Sequence, residues 1–309
     1  MSKLPIFTLL FLPVVLGGCD RLDALRARVR DQAAPERAPI DPVQAQQAAA
    51  LLANAAATLQ SRDAVSARMN VSVQLFGQVL MGSGLYLEQD PQRSRLMRME
   101  LNFQVDGKPT SLVQICDGQH FWSYRQAGKE SSLNKVDLAR LDEAWQAAVG
   151  NGPPLPWMML GGLPKLLHAL NETFVFARPE ASRLQDLAVW RLRGEWRPER
   201  LAALLPQYQK ALSRGQTFNS AKLPEHLPDE VLLFLGQEDL FPYRLEYRRR
   251  SDTPDASGPN PLLLALQLSE VTLNVPLDPY QFRYSPGGLK DRDVTAEALQ
   301  QFNLTSKPK

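Results

Sequence analysis

Cys19 is the residue of this chain best placed for covalent chemistry. It is one of only two cysteines, and Leu16-Gly17-Gly18-Cys19 sets it directly behind an almost wholly apolar run from Leu4 to Leu16. An ionised thiol is a strong nucleophile. No other cluster offers comparable chemistry. His120, His168 and His226 lie roughly 50 residues apart, with no HExxH and no Cys/His pair at metal-ligand spacing. There is no GxSxG nucleophile elbow. "GNGPP" and "MGSGL" carry glycines, but neither leads from a strand into a helix as a phosphate loop must. Glu238-Asp239 and Asp291/Asp293 read as turn residues rather than as a paired acid and base. The expectation is a non-enzyme with no catalytic residue, no metal and no cofactor.

The N-terminal stretch resembles the lipobox of bacterial lipoproteins: a branched apolar residue, two small residues and a cysteine. Met1-Ser2-Lys3 supplies the short basic start, and about 13 apolar residues follow, too few to span a bilayer. The resemblance implies a signal peptide at 1–18, cleavage before Cys19, a diacylglycerol thioether on its sulfur and an acyl group such as palmitate on its new amine. Several acyl chains anchor stably, at about 0.8 kcal/mol per buried CH₂. Asp20 in the second mature position matches an inner-membrane retention signal of such lipoproteins. An outer-membrane anchor, with Asp20 incidental, stays open. Either places the body facing the periplasm in the bacterial cell envelope.

Removing 1–18 deletes Lys3 and no acid, leaving 34 basic and 33 acidic side chains. A net +1 gives no electrostatic footprint for nucleic acid. With Cys19 acylated, Cys116 has no disulfide partner and reads as a small buried hydrophobe. Residues 19–42 read as anchor and tether. Leu22, Leu25 and Val29 fall at helical spacing among Arg21, Arg26, Arg28 and Arg30, which fits either a basic membrane-surface helix or a solvated spacer. Pro35, Pro39 and Pro42 then interrupt any helix.

These features need a body to carry, and 43–309 supplies it. Asp41-Pro42 predicts the start of a helix over an Ala-rich segment. Strict alternation then takes over, in Met69, Val71, Val73 and Leu75 and again in Met97, Met99, Leu101, Phe103 and Val105. Period two at that length means antiparallel strands with one apolar face. About ten strands are expected in all, joined by turns at Asp90-Pro91, Asp106-Gly107 and Asp117-Gly118. Between 262 and 275 the apolar parity changes near Ser269-Glu270, which predicts a bulge in a strongly curved sheet. Two helices interrupt the strands, at 136–148 and 160–170. Trp157, Met158, Met159 and Leu160 precede or open the second, whose apolar stripe includes Leu163 and Leu167. This segment fits either a core helix or a movable lid, with Gly161-Gly162 as its hinge. A second insertion, at 198–229, begins with a helix at Pro198.

The order of these parts resembles the LolA/LolB-type lipoprotein carriers of the bacterial envelope. "SGLYLEQDPQRSRLMRM", "QICDGQHFWSY" and "LNVPLDPYQFRYSPGGLKDRD" carry the resemblance. It implies an α+β fold: an incomplete barrel of curved antiparallel sheet, an N-terminal helix and inserted lid helices. Its concave face, including Met97, Met99, Leu101 and Phe103, would bind acyl chains of lipid or lipoprotein beneath a lid of Trp157 to Leu160, Leu163 and Leu167. The implied role is carrier or acceptor in lipoprotein sorting. The alternative is an envelope scaffold or interaction lipoprotein that uses the same fold with a filled core. The chain departs from the family in its 198–229 insertion. Arg95 and Arg98 lie on the strand where the family's basic latch between sheet and lid would be sought.

Overall fold

The computed structural model describes residues 40–75, 78–91, 95–105, 107–147, 162–205, 209, 223–224, 227–249, 261–285, 287–302 and 304. The expected signal peptide, Cys19, Asp20 and the expected tether before residue 40 therefore lie outside the described residues, as do Trp157 to Gly161, His226 and most of the 198–229 insertion.

The first helix, α1 (Pro42–Gln60), starts where the sequence predicts. The Asp41 side chain accepts from the N–H groups of Val43 at 2.8 Å and Gln44 at 3.2 Å, and proline occupies the first turn. Such a cap is worth about 1 kcal/mol. Ala48, Leu52, Ala55, Ala56 and Leu59 form one buried stripe, the spacing of a helix laid on a sheet.

Among the described residues thirteen strands follow, against about ten expected: β1 (Ala64–Leu75), β2 (Gln78–Gln89), β3 (Leu96–Val105), β4 (Lys108–Asp117), β5 (His120–Ala127), β6 (Glu130–Asp137), β7 (Phe174–Phe176), β8 (Glu180–Leu184), β9 (Leu187–Trp196), β10 (Glu230–Gly236), β11 (Pro242–Arg248), β12 (Leu262–Leu273) and β13 (Arg292–Asp293). They form one curved, unclosed sheet ordered β13-β6-β5-β4-β3-β2-β1-β12-β11-β10-β9-β7, with β8 also on β9. All pairs are antiparallel except β13 with β6. The additional strands β6, β8 and β13 belong to the polar margins of the sheet.

Two local features bend it. Between β1 and β12 the register slips from Ser66↔Thr272 to Arg68↔Ser269, and Glu270 takes φ 49°. This is the bulge expected from the parity change. Gly84 lies so close to β3 that an added Cβ would stand 1.7 Å from the Glu100 carbonyl oxygen. Only glycine permits that approach.

The remaining helices are α2 (Leu138–Ala147), α3 (Gly162–Thr173), α4 (Pro198–Leu204) and α5 (Thr295–Gln301). Helices α1 and α3 pack against each other and bury their stripes in the same core as the inner face of the sheet. The two inserted helices thus exist, with the first beginning two residues later than expected and the second running on to Thr173. Over β3 to β5 the opposite face is covered by the chain after β12. There a 3-10 turn at Pro279–Phe282 buries Phe282, and Tyr284 stacks on Trp122 with ring centroids 5.9 Å apart. Among the described residues no helix is long and apolar enough to cross a membrane.

Candidate functional site

The register assembles the inner face row by row. One row runs Leu273, Val65, Glu88, Met97, Cys116, Phe121 and Val136 across seven strands. The next runs Ala67, Tyr86, Met99, Gln114 and Ser123. A third brings Leu268, Met69, Gly84, Leu101 and Leu112 together. Met97, Met99 and Leu101 are almost completely buried, and Phe103 packs on the same core while partly exposed. Leu163 and Leu167 of α3 are buried in that core as well. The predicted cavity residues and the described part of the predicted lid therefore share one apolar cluster.

One residue in the first row is out of place. Glu88 stands between Val65 and Met97 and is 2% exposed. The Tyr86 hydroxyl donates to its Oε2 at 2.7 Å. The backbone N–H of Leu163, in the first turn of α3, points at both Tyr86 Oη (3.1 Å) and Glu88 Oε2 (3.3 Å). Gly162 holds φ 74° directly above the carboxylate, and a Cβ there would lie 2.0 Å from Glu88 Oε1. Oε1 itself has no hydrogen-bond partner, and neither has Oε1 of the buried Gln114, two strands away in the Tyr86 row. Burial pushes the Glu88 carboxyl up to about 7, against the lowering effect of the Tyr86 and Leu163 hydrogen bonds. The Tyr86 phenol is raised well above its ordinary value by burial and then by the neighbouring carboxylate.

This acid–phenol pair joins sheet to helix, and the sequence reading passed over it. In "GLYLEQD" the apolar residues are Leu85 and Leu87, so alternation points Tyr86 and Glu88 to solvent. Leu87 is indeed buried, but on the outer face, opposite Arg98, which reaches the Gln281 carbonyl of the C-terminal segment, and both Leu87 and Glu88 at this end of β2 are buried. The available signal was the parity of Glu88 with Gly84, and with Met97 across the turn.

The arginines considered as latches lie elsewhere. Arg95 forms an ion pair with Asp142 of α2 at 2.8 Å, at the partly exposed rim. Arg98 is on the outer face, held by Glu100 at 2.6 Å and donating to the Gln281 carbonyl at 2.8 Å. Burial pushes the Cys116 thiol up to about 11, so it stays protonated and unreactive. Asp117 caps its own turn, accepting from the N–H groups of Gln119 and His120 and from Trp122 Nε1. Asp239 accepts from the Phe241 N–H and the Tyr243 hydroxyl, Asp291 pairs with Lys135 at 2.7 Å, and Asp293 accepts from the Thr295 N–H. These acids are turn and rim residues. Among the described residues no three His, Cys, Asp or Glu side chains converge as metal ligands would.

No family profile matches the chain, and no curated protein sequence does. Solved structures are similar at low identity. A DUF1329 family protein from Desulfovibrio piger shares 10% identity at a TM-score of 0.36, covering 77% of this chain and 97% of the other. A putative outer membrane lipoprotein-sorting protein domain from Vibrio parahaemolyticus shares 8% at 0.34, covering 77% and 97%. A LolA superfamily protein from Nitrosomonas europaea shares 10% at 0.30, covering 76% and 96%.

Proposed function

We propose that this chain is a lipid-anchored envelope protein that binds acyl chains of lipid or lipoprotein against the inner face of its sheet, as a carrier or acceptor in lipoprotein sorting and without catalysis. The observation that carries this reading is the apolar inner face under α1 and α3: Met97, Met99 and Leu101 on the sheet, facing a helix tied down at its first turn through Glu88 and Tyr86. Methionines adapt to ligands of varied shape. The first turn of α3 can give way to an acyl chain when the two states differ by only a few kcal/mol, while its C-terminal end stays held by Arg197 and Arg200 at the Asn171 and Glu172 carbonyls. Acylation at Cys19 supplies the anchor, Asp20 favours the inner membrane, and the body faces the periplasm.

A second reading is a scaffold of the same fold whose core is permanently filled. It is favoured by the burial of Leu163, Leu166, Leu167 and Leu170 to 5% exposure or less. The two separate in native mass spectrometry of the full chain carrying Cys19→Ala, purified without detergent. Acyl lipid retained by the folded protein and released on unfolding is the expected result. A folded protein that carries none and takes up none from vesicles leaves the scaffold.

A further inference from the structure

The acyl-chain reading leaves open what the polar end of a ligand meets, and the hydrogen-bond inventory of the inner face bears on that. Around Glu88 the acceptors include its two carboxylate oxygens, the Tyr86 oxygen and, across Met99, the Gln114 carbonyl. The Tyr86 hydroxyl and the Leu163 N–H both converge on Glu88 Oε2. Glu88 Oε1 and Gln114 Oε1 are left with no donor although their residues are 2% and 6% exposed. A buried acceptor without a donor is costly, and a buried carboxylate more so. A purely structural acid on this sheet is treated differently: both oxygens of the equally buried Glu246 are paired, with Arg244 at 2.5 Å and Arg248 at 2.6 Å.

We propose that Glu88, with Tyr86 beside it and Gln114 across Met99, is the head-group recognition point of the inner face, and that it selects amphiphiles whose polar end donates hydrogen bonds through a hydroxyl or an ammonium. The proposal rests on the acyl-chain reading and names the ligand class for it. In the present state the first turn of α3 stands in for the ligand: the Leu163 N–H is the donor, and the Gly162 backbone closes over Oε1. A hydroxyl or ammonium arriving with an acyl chain supplies the missing donors and competes with that N–H for the same carboxylate. Gly162 already occupies φ 74° with no side chain, so the first turn can lift without dragging one through the sheet. An anionic head group would bring a like charge against Glu88 in a dry site, and a donor-free ester would leave both orphaned oxygens as they are. The selectivity is therefore for neutral or cationic heads.

The test uses the full chain carrying Cys19→Ala and three probes with the same acyl length: 1-monopalmitoylglycerol for the hydroxyl, hexadecylamine for the ammonium, and methyl palmitate with no donor. At pH 8, where the Glu88 carboxyl is mostly ionised, at least one donor-bearing probe should bind about tenfold or more tighter than methyl palmitate, as hydrogen bonds to a charged acceptor imply, and the better of the two identifies the head group. In Glu88→Leu the ratio should fall to near one. Should that variant fail to fold, Tyr86→Phe and Gln114→Leu carry the test, each lowering the ratio. Equal binding of all three probes to the wild type overturns the head-group site and leaves the acyl-chain reading standing. Binding of none overturns the acyl-chain reading itself. A tenfold ratio that survives in the folded variants overturns the assignment to Glu88.

Discussion

Glu88 and Glu246 are glutamates on strands of one sheet, hidden to 2% and 3% exposure, and their surroundings are opposite. Glu246 on β11 is flanked on its own strand by Arg244 and Arg248, whose Nε atoms take one carboxylate oxygen each, and Arg244 also reaches Gln267 at 2.6 Å. Glu88 on β2 has a phenol and one backbone N–H on a single oxygen, and its strand neighbours across the row are Val65 and Met97. The first arrangement meets the requirement for burying charge by supplying partners in kind. The second leaves a residual cost that packing alone would have removed by placing a leucine there. An acid kept under those terms, where the sheet meets the first turn of α3, is better explained by exchange with something else than by holding the fold together.

The comparison breaks most visibly if Glu246 is removed. Glu246→Leu leaves two arginines facing each other with little solvent, and loss of one partner from a buried pair costs about 3–5 kcal/mol. Urea unfolding should show that loss as a lower midpoint with an unchanged slope. Loss of less than about 1 kcal/mol would mean that the arginines reach other partners, and Glu246 would no longer serve as the contrasting case.

Removing Glu88 should act in the opposite direction. Its folded-state value, about 7, lies above the ordinary 4.5. The folded chain therefore holds more protons than the unfolded one between these values. The Glu88 contribution to stability falls as pH rises through that interval and stays low above it. Full ionisation amounts to about 3 kcal/mol of destabilisation. Denaturation at a series of pH values should show this decline in the wild type and not in Glu88→Gln, with the variant the more stable protein at pH 8. Parallel curves for the two proteins would show that Glu88 has found partners for its charge, and the contrast with Glu246 would collapse.

What could be read from the chain alone follows the same division. Asp41-Pro42 is a local signal, and the cap it predicts forms. The alternation through Met97 to Phe103 is also local, and so is the parity break at Ser269-Glu270; the structure shows an inner face and a bulge at those places. Strand β6 was missed because Leu133 and Val136 have opposite parity. Each is buried on a different face, Leu133 on the outer one opposite Tyr124, where Tyr284 from the chain after β12 packs. Glu88 was missed for the same reason. Period-two reasoning assumes one wet face, and at the end of β2 neither face is wet. The C-terminal segment and the first turn of α3 lie far away in sequence, so nothing within "GLYLEQD" announces them.

Gly162 sharpens the comparison at intermediate cost. An alanine there meets φ 74° and a Cβ 2.0 Å from Glu88 Oε1, and a strained backbone position of this kind costs about 1–3 kcal/mol. The strain should be local. Hydrogen exchange of Leu163 and the following turn should accelerate in Gly162→Ala while β3 and β4 keep their protection. Uniform acceleration would mean that α3 cannot open apart from the sheet, and the filled-core scaffold would be the better account of the protein.

The smallest effect is expected at the other tie between sheet and inserted helix, the Arg95–Asp142 pair. Its geometry is good, at 2.8 Å, but its side chains are 37% and 34% exposed. Water competes for both charges and salt screens them, so such a pair contributes no more than about 1 kcal/mol. Arg95 also holds φ 49°, a conformation that costs a side-chain-bearing residue something in its own right. Arg95→Gly removes that strain together with the ion pair, and the two changes should nearly cancel. Arg95→Ala loses the pair and keeps most of the strain. The difference between the variants isolates the backbone contribution, and repeating both at high salt isolates the electrostatic one, which should vanish. The Glu88 site is dry, and its stability effect should be the same at either salt concentration. If Arg95→Ala instead costs several kcal/mol, or frees α3 as Gly162→Ala does, then the basic residue at the rim is the latch. Glu88 would then serve the ligand alone, without any part in holding the helix down.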